Sequence, residues 1–147
     1  MSFSKAPFFT PDQQKRVVEA IASAENQTSG ELKVFIEASC PGDVVERAMA
    51  VFDELEMYQT RLRNGVLFYL AHEDHKFAVI GDEGIHEKVP YDFWETTKEH
   101  LREHFVRGEF AEGFVQGILE AGEQLAKHFP NQGNTGNELP DDIVFGT

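Results

Sequence analysis

The sequence lacks several features that would assign it to a class at once. Cys40 is the single cysteine, which excludes an internal disulfide. Lys and Arg number 13 against 26 Asp and Glu, and the net charge of −13 argues against binding a nucleic-acid backbone. It suits a metal ion, a basic protein partner or simple solubility. No apolar run approaches the ~20 residues of a membrane span, and the N-terminus lacks a signal-peptide pattern, so we expect a cytoplasmic protein without membrane insertion.

The composition that is present predicts one folded domain. Hydrophobic residues make up 41% and aromatic residues 12% of 147 residues, enough to bury a substantial core. We expect residues 1–147 to form a single domain with an N-terminal arm at 1–9. Residues 130–147 have a loop-like composition, although Leu139 and the segment 143–145 are apolar and could dock onto the body.

The centre of the predicted fold is the stretch 63–85. Residues 66–71 form an unbroken apolar run, typical of a strand covered on both faces. The polar residues 72–75 predict a tight turn, and 76–80 a second short strand that ends at the glycines of 81–84. The stretch therefore predicts an antiparallel hairpin at the middle of a sheet.

A βαβ unit is predicted upstream of this hairpin. Thr10, Pro11 and Gln13 form a capping pattern that begins the first helix. Residues 31–39 alternate as a strand, and Asp43 caps a following helix of ~14 residues. Because a helix connects them, strands 31–39 and 65–71 should be parallel.

Two helices are predicted after the hairpin, and they complete an α/β fold. Pro90 introduces the first, which ends near Gly108, and the second runs from about 109 to 128. Their inward faces are apolar and should be core rather than a ligand pocket: Trp94, Leu101, Phe105, Phe114 and Ile118. We therefore expect a compact three-layer sandwich, with helices on both faces of a mixed sheet.

Histidine and cysteine give only weak functional signals. His100 and His104 fit the H-x-x-E-H spacing of inverted zinc proteases, but the adjacent helix face already serves the core. An exposed, solvated His pair is the favoured interpretation. Cys40 has no basic neighbour in sequence and is interpreted as a small structural residue.

Topology gives a stronger prediction of a site. If strand 76–80 runs antiparallel to the other two, the loops 28–31, 63–65 and 81–84 meet at one end of the sheet. At that end we predict a metal site formed by Glu31, Asp82 and Glu83. Arg63 and Asn64 are the predicted polar or anion-binding residues, and no catalytic nucleophile is evident. Oxygen-rich loops suit a divalent cation, Ca²⁺ before Mg²⁺, because Ca²⁺ tolerates irregular coordination.

Two alternatives to this site remain open. The opposite end of the sheet carries Glu37, Ser39 and residues 72–74, and open α/β sheets usually bind ligands beyond the carboxyl ends of their parallel strands. Alternatively, Glu31 and Asp82 serve structure alone by capping turns or pairing with Arg63.

A set of ordered motifs resembles the TPM domain family, named partly from a thylakoid-lumen protein. The motifs are TSGE at 28–31, RNGVL at 63–67, D-x-K-F-A-x-x-G-D-x-G-I at 74–85, DFW at 92–94 and NELPD at 137–141. The resemblance covers 9–145 and implies a Rossmann-like α/β sandwich. It departs from relatives at 73–75, where their frequent D-D-R is Glu-Asp-His, so an arginine there is missing.

The resemblance implies two functions of different classes. Some family members are acid phosphatases and several bind divalent metal, whereas others are accessory or assembly factors. The favoured hypothesis is a non-catalytic, metal-binding accessory or interaction module. The alternative is a metal-dependent phosphatase for phosphate monoesters, with a cation at the carboxylates and Arg63 countering the developing charge.

Overall fold

The computed structural model describes residues 8–131 and 143–146. Its helices and strands alternate along the chain, as an α/β fold requires. In order they are α1 (Pro11–Gln27), β1 (Glu31–Glu37), α2 (Val44–Glu54), β2 (Gly65–Ala71), β3 (Lys76–Gly81), α3 (Glu83–His86), α4 (Glu95–Val106), α5 (Phe110–His128) and β4 (Ile143–Phe145).

The four strands of the described residues form one mixed sheet with the order β3-β2-β1-β4. Strand β1 is parallel to β2 in a register that pairs Glu31 with Gly65, and β2 is antiparallel to β3. The predicted βαβ unit and hairpin are therefore confirmed. Strand β4 adds to the free side of β1, again in parallel.

Helices cover both faces of the sheet and create two apolar layers. Helices α1, α4 and α5 pack on one face through the larger core, to which β1 and β2 contribute alternate side chains such as Val34 and Phe68. Helix α2 covers the other face, where Phe52 packs with Leu67 and Tyr69. The predicted three-layer sandwich is confirmed, and Trp94, Phe105, Phe114 and Ile118 are all buried.

Local signals explain where these elements begin. Thr10 and Gln13 form the reciprocal capping box, and the Asp43 carboxylate accepts a hydrogen bond from the Glu46 N–H at 2.9 Å. Helix α2 ends three residues short of the expected length, at Glu54, and Glu56 follows with a φ of 56°. This left-handed residue turns the chain away from the helix axis.

Further details differ from the sequence expectation, and one is that α4 begins at Glu95 rather than at Pro90. Strand β1 stops at Glu37 rather than 39, and the one-turn helix α3 was expected as loop. Residues 143–145 form a strand because their backbone pairs in parallel with β1, and Ile143 packs into the larger core. Leu139 lies outside the described residues. No helix in the described ranges is both long and apolar enough to cross a bilayer.

Candidate functional site

The three loops predicted to share one end of the sheet do so. Strands β1 and β2 both begin there, and β3 ends there, because Val66 pairs with Gly81. The Asp82 N–H continues the ladder with a 3.0 Å hydrogen bond to the Gly65 carbonyl. Strand β2 lies between the other two, so the backbones of β1 and β3 are about 10 Å apart.

Arg63 organises the β3 side of this end. Its guanidinium donates two hydrogen bonds to Asp82, from Nε to Oδ2 at 2.7 Å and from Nη2 to Oδ1 at 2.9 Å. A third bond, from Nη1 to Glu83 Oε1, measures 3.1 Å. The hydrogen bonds to Asp82 raise the pKa of the Arg63 guanidinium. Three carboxylate oxygens therefore converge on one positive charge.

The backbone holds this arrangement in place. Arg63 itself has a φ of 50°, in the left-handed region, and its carbonyl accepts a 2.9 Å hydrogen bond from the Gly84 N–H. Asp82 caps α3, since its Oδ1 also accepts a 2.7 Å bond from the Glu83 N–H. The 63–65 loop and the start of α3 are thus joined by side-chain and backbone bonds together.

Glu31 lies apart from this pair of carboxylates. It is buried at the start of β1 and pairs with Gly65 of β2. Asp82 lies on the other side of Gly65, so β2 separates Glu31 from Asp82. A Cβ on Gly65 would lie 2.9 Å from the Met57 carbonyl oxygen, so the loop after α2 fills the space over Gly65. Among the described residues, no three His, Cys, Asp or Glu side chains are grouped so that they could hold a metal ion as they stand. Joint ligation by Glu31, Asp82 and Glu83 stays a prediction that requires side chains to move.

Asn64 connects its own loop to neighbouring segments at Ser29 and Thr60, and not to the carboxylates of Asp82 and Glu83. Its Nδ2 donates to Ser29 Oγ at 3.2 Å, and its N–H donates to Thr60 Oγ1 at 3.2 Å. The side chain is buried, and its Oδ1 has no hydrogen-bond partner in the described part of the chain. The prediction that Arg63 and Asn64 serve as polar or anion-binding residues stays a prediction, and the two side chains have different partners.

An open groove of about 250 Å³ lies between α2 and the end of β3, beside the Asp82 and Glu83 carboxylates that bind Arg63. Its lining combines apolar and acidic residues: Met49, Phe52, Asp53, Arg63, Ile80, Gly81, Asp82, Glu83 and His86. We call this the acidic groove. The sequence analysis missed the contribution of α2 to this groove. Hydrophobic periodicity identifies which face of a helix is buried, but it does not identify which strand end lies beside that helix.

The alternative site at the other end of the sheet is an internal ion pair. Arg47 donates to both oxygens of Glu37, at 2.8 and 3.0 Å, and Tyr69 donates its hydroxyl proton to the same carboxylate. These bonds, with that from Arg47 the larger cause, lower the pKa of Glu37, and burial raises the pKa of Tyr69. Nearby, the Asp74 carboxylate accepts a 2.7 Å bond from the Cys40 N–H.

The two histidines of the zinc-protease pattern have separate partners. His100 Nδ1 lies 2.7 Å from Glu120 Oε2, whereas His104 Nδ1 lies 3.0 Å from Glu109 Oε1. Both contacts join α4 to the start or middle of α5. The histidines therefore link two helices, and Cys40 is buried as expected of a structural residue.

Comparisons with known proteins agree with the motif order. The TPM domain family model matches residues 3–124. The solution structure of the BA42 protein from the psychrophilic bacterium Bizionia argentinensis is similar at 44% identity and a TM-score of 0.91, over 97% of this chain and 99% of that one. No curated protein matches the sequence.

A more distant structure shares the fold alone. The N-terminal domain of the cg2496 protein from Corynebacterium glutamicum is similar at 11% identity and a TM-score of 0.62, over 92% of each chain. The family match spans most of the sequence, and the 44% identity with BA42 extends over nearly its full length. This chain belongs to the TPM domain family.

Proposed function

We propose that this TPM-domain protein is a non-catalytic accessory module that binds a divalent cation, Ca²⁺ before Mg²⁺, in the acidic groove. The observation that carries the proposal is the convergence of Asp82 and Glu83 on the Arg63 guanidinium. Carboxylates that already surround one positive charge have the chemistry to accept another, and Ca²⁺ binds carboxylate oxygens in flexible geometries.

Arg63 acts in this proposal as an internal counter-ion that the metal replaces. Its side chain is 41% exposed, so the guanidinium can leave Asp82 for solvent without breaking the core. Asp53 faces the same groove from α2 and is a further oxygen donor within reach of a rearranged site. Asp82 and Glu83 fit a hard cation, while a contribution from Glu31 requires movement past the Met57 carbonyl.

The electrostatics of the groove favour binding over phosphate-ester chemistry. Three carboxylates and one guanidinium line it, and that guanidinium is already paired with Asp82. A phosphate monoester entering the metal-free groove meets a net negative lining, and one bound divalent cation brings that lining only to about neutral.

Calorimetric titration with Ca²⁺ and with Mg²⁺ tests this proposal, because two variants should change the metal affinity in opposite directions. Arg63→Gln should bind Ca²⁺ about fivefold more tightly, because a partly exposed ion pair contributes up to about 1 kcal/mol against the metal. Asp82→Asn should weaken binding by about tenfold or more, since it removes a charged ligand. Glu31→Gln measures whether that predicted ligand takes part.

The matched control is Glu103→Gln, which removes one exposed carboxylate from α4, away from the groove. Its affinity should equal that of the wild type. If Arg63→Gln gains nothing, Arg63 is not the competing cation. Wild-type protein that binds neither ion at millimolar concentration would show that the metal proposal is wrong.

A further inference from the structure

The acidic groove has an apolar and an acidic lining, and this combination matches the side chain of a Lys or Arg residue. Its apolar lining comes from Met49, Phe52 and Ile80, and its acidic lining includes the carboxylates of Asp53 and Asp82. Lys and Arg side chains have the same division, because an aliphatic stem carries a charged head. Arg63 also lines the groove and its guanidinium is hydrogen-bonded to Asp82, so one carboxylate of the groove already binds a basic head group of this kind.

An exposed apolar strip on α2 borders the groove. Val45 is 47% exposed and Met49 is 55% exposed, and they lie one helical turn apart on the same face. Met49 also lines the groove, so the strip and the groove form one continuous surface. Exposed Met side chains adapt to varied apolar partners, which suits a docking surface.

Charge determines what kind of partner this surface attracts. Three carboxylates against one guanidinium give the groove a net charge of about −2, within a chain of net charge −13. Such a field speeds the approach of a positively charged segment and repels an acidic one. The volume of about 250 Å³ holds one long side chain rather than a whole helix.

We propose that the acidic groove and the Val45–Met49 strip dock a segment of a partner protein in which a Lys or Arg side chain lies next to an apolar residue. The basic side chain enters the groove, with its stem on Phe52 and Ile80 and its head near Asp53. The apolar neighbour covers Met49. This inference rests on the proposed role as a binding module and names the chemistry of its partner.

The test uses a fluorescent peptide of alternating Leu and Lys, with an alternating Leu and Glu peptide as the charge-reversed probe. Anisotropy gives affinities for the full chain and for two matched pairs of variants. Met49→Ser and Val106→Ser each remove an exposed apolar side chain, at the groove and on remote α4. Asp53→Asn and Glu103→Gln each remove one exposed carboxylate, again at the groove and away from it.

The expected result is that Met49→Ser and Asp53→Asn each weaken binding of the Lys peptide by about fivefold or more. Val106→Ser and Glu103→Gln should leave its affinity within about twofold, as remote surface changes do. Equal losses within either matched pair would overturn the proposal, since the attraction would then be general. So would equal affinity of wild-type protein for the Lys and Glu peptides.

The peptide result and the metal result can be separated. Titration with Ca²⁺ in the absence of peptide tests cation exchange at Arg63 by itself. Peptide binding that distinguishes both matched pairs stands even if Ca²⁺ gives no heat, and then only the metal proposal fails. Conversely, Ca²⁺ binding sensitive to Asp82 with no discrimination by the peptide leaves the metal proposal and removes the docking surface.

Discussion

Replacement of Gly84 by Ala should damage both stability and the site, because α3 approaches the preceding loop at this position. A Cβ on Gly84 would lie 2.1 Å from the Leu62 carbonyl oxygen and 2.6 Å from that of Arg63, whereas ordinary contact begins at 3.4 Å. Both obstacles are backbone atoms, so no side-chain rotation relieves the overlap. The loop or α3 must move by more than 1 Å, which also separates Arg63 from Asp82.

We expect Gly84→Ala to cost about 3 kcal/mol, at the upper end of overpacking, since the backbone has to shift. For a chain of 147 residues this lowers Tm by about 10 °C. Chemical denaturation and a thermal melt give both values. Gly42→Ala is the matched control, because nothing lies within 4 Å of its added Cβ. A loss under about 0.5 kcal/mol, equal to that of Gly42→Ala, would refute the close approach.

Two other predictions concern the core and the opposite end of the sheet. Phe114→Ala should cost about 3–5 kcal/mol by denaturation, because the ring is buried among Phe9 and Phe105, whereas Val106→Ala should change stability by less than about 0.5 kcal/mol. Glu37→Gln should cost about 1–2 kcal/mol at pH 7, since it weakens the hydrogen bonds from Arg47, which is itself partly exposed. The folded pKa of Glu37 is lowered below 4.5, so its charge stabilises the fold above that pH and the contribution is lost as pH falls through the folded pKa. Wild type and Glu37→Gln should therefore converge in stability on acidification, and a constant difference from pH 7 to pH 3 would contradict the ion pair.

Local patterns predict most of the fold because they act over short distances. The capping box at Thr10, the Asp43 cap and the apolar run 66–71 each determine an element within a few residues. Strand order along β3-β2-β1 follows from loop length, since a tight turn pairs neighbours and a helix connects parallel strands. Strand β4 was harder to predict from the sequence, because its three residues are too few to show a periodic hydrophobic pattern.

The site was predicted only in part because its contacts are between distant residues. Strand direction correctly brings the loops of Glu31, Arg63 and Asp82 to one end of the sheet. From the sequence, pairing of Asp82 with Arg63 was only one structural alternative, and the structure shows that pair. Strand direction does not reveal that the Met57 carbonyl fills the space over Gly65. These depend on how the loop after α2 folds back, which hydrophobic periodicity does not encode.

The Nε–H signal of Arg63 reports directly whether a divalent cation replaces the Arg63 guanidinium at Asp82. In metal-free protein its proton is held in a 2.7 Å hydrogen bond to Asp82 Oδ2 and should exchange slowly with water. A ¹H–¹⁵N NMR titration with Ca²⁺, with Arg63→Gln to assign the signal, should shift it and speed its exchange as the metal binds. A signal that keeps its position and slow exchange while Ca²⁺ saturates the protein would contradict the account.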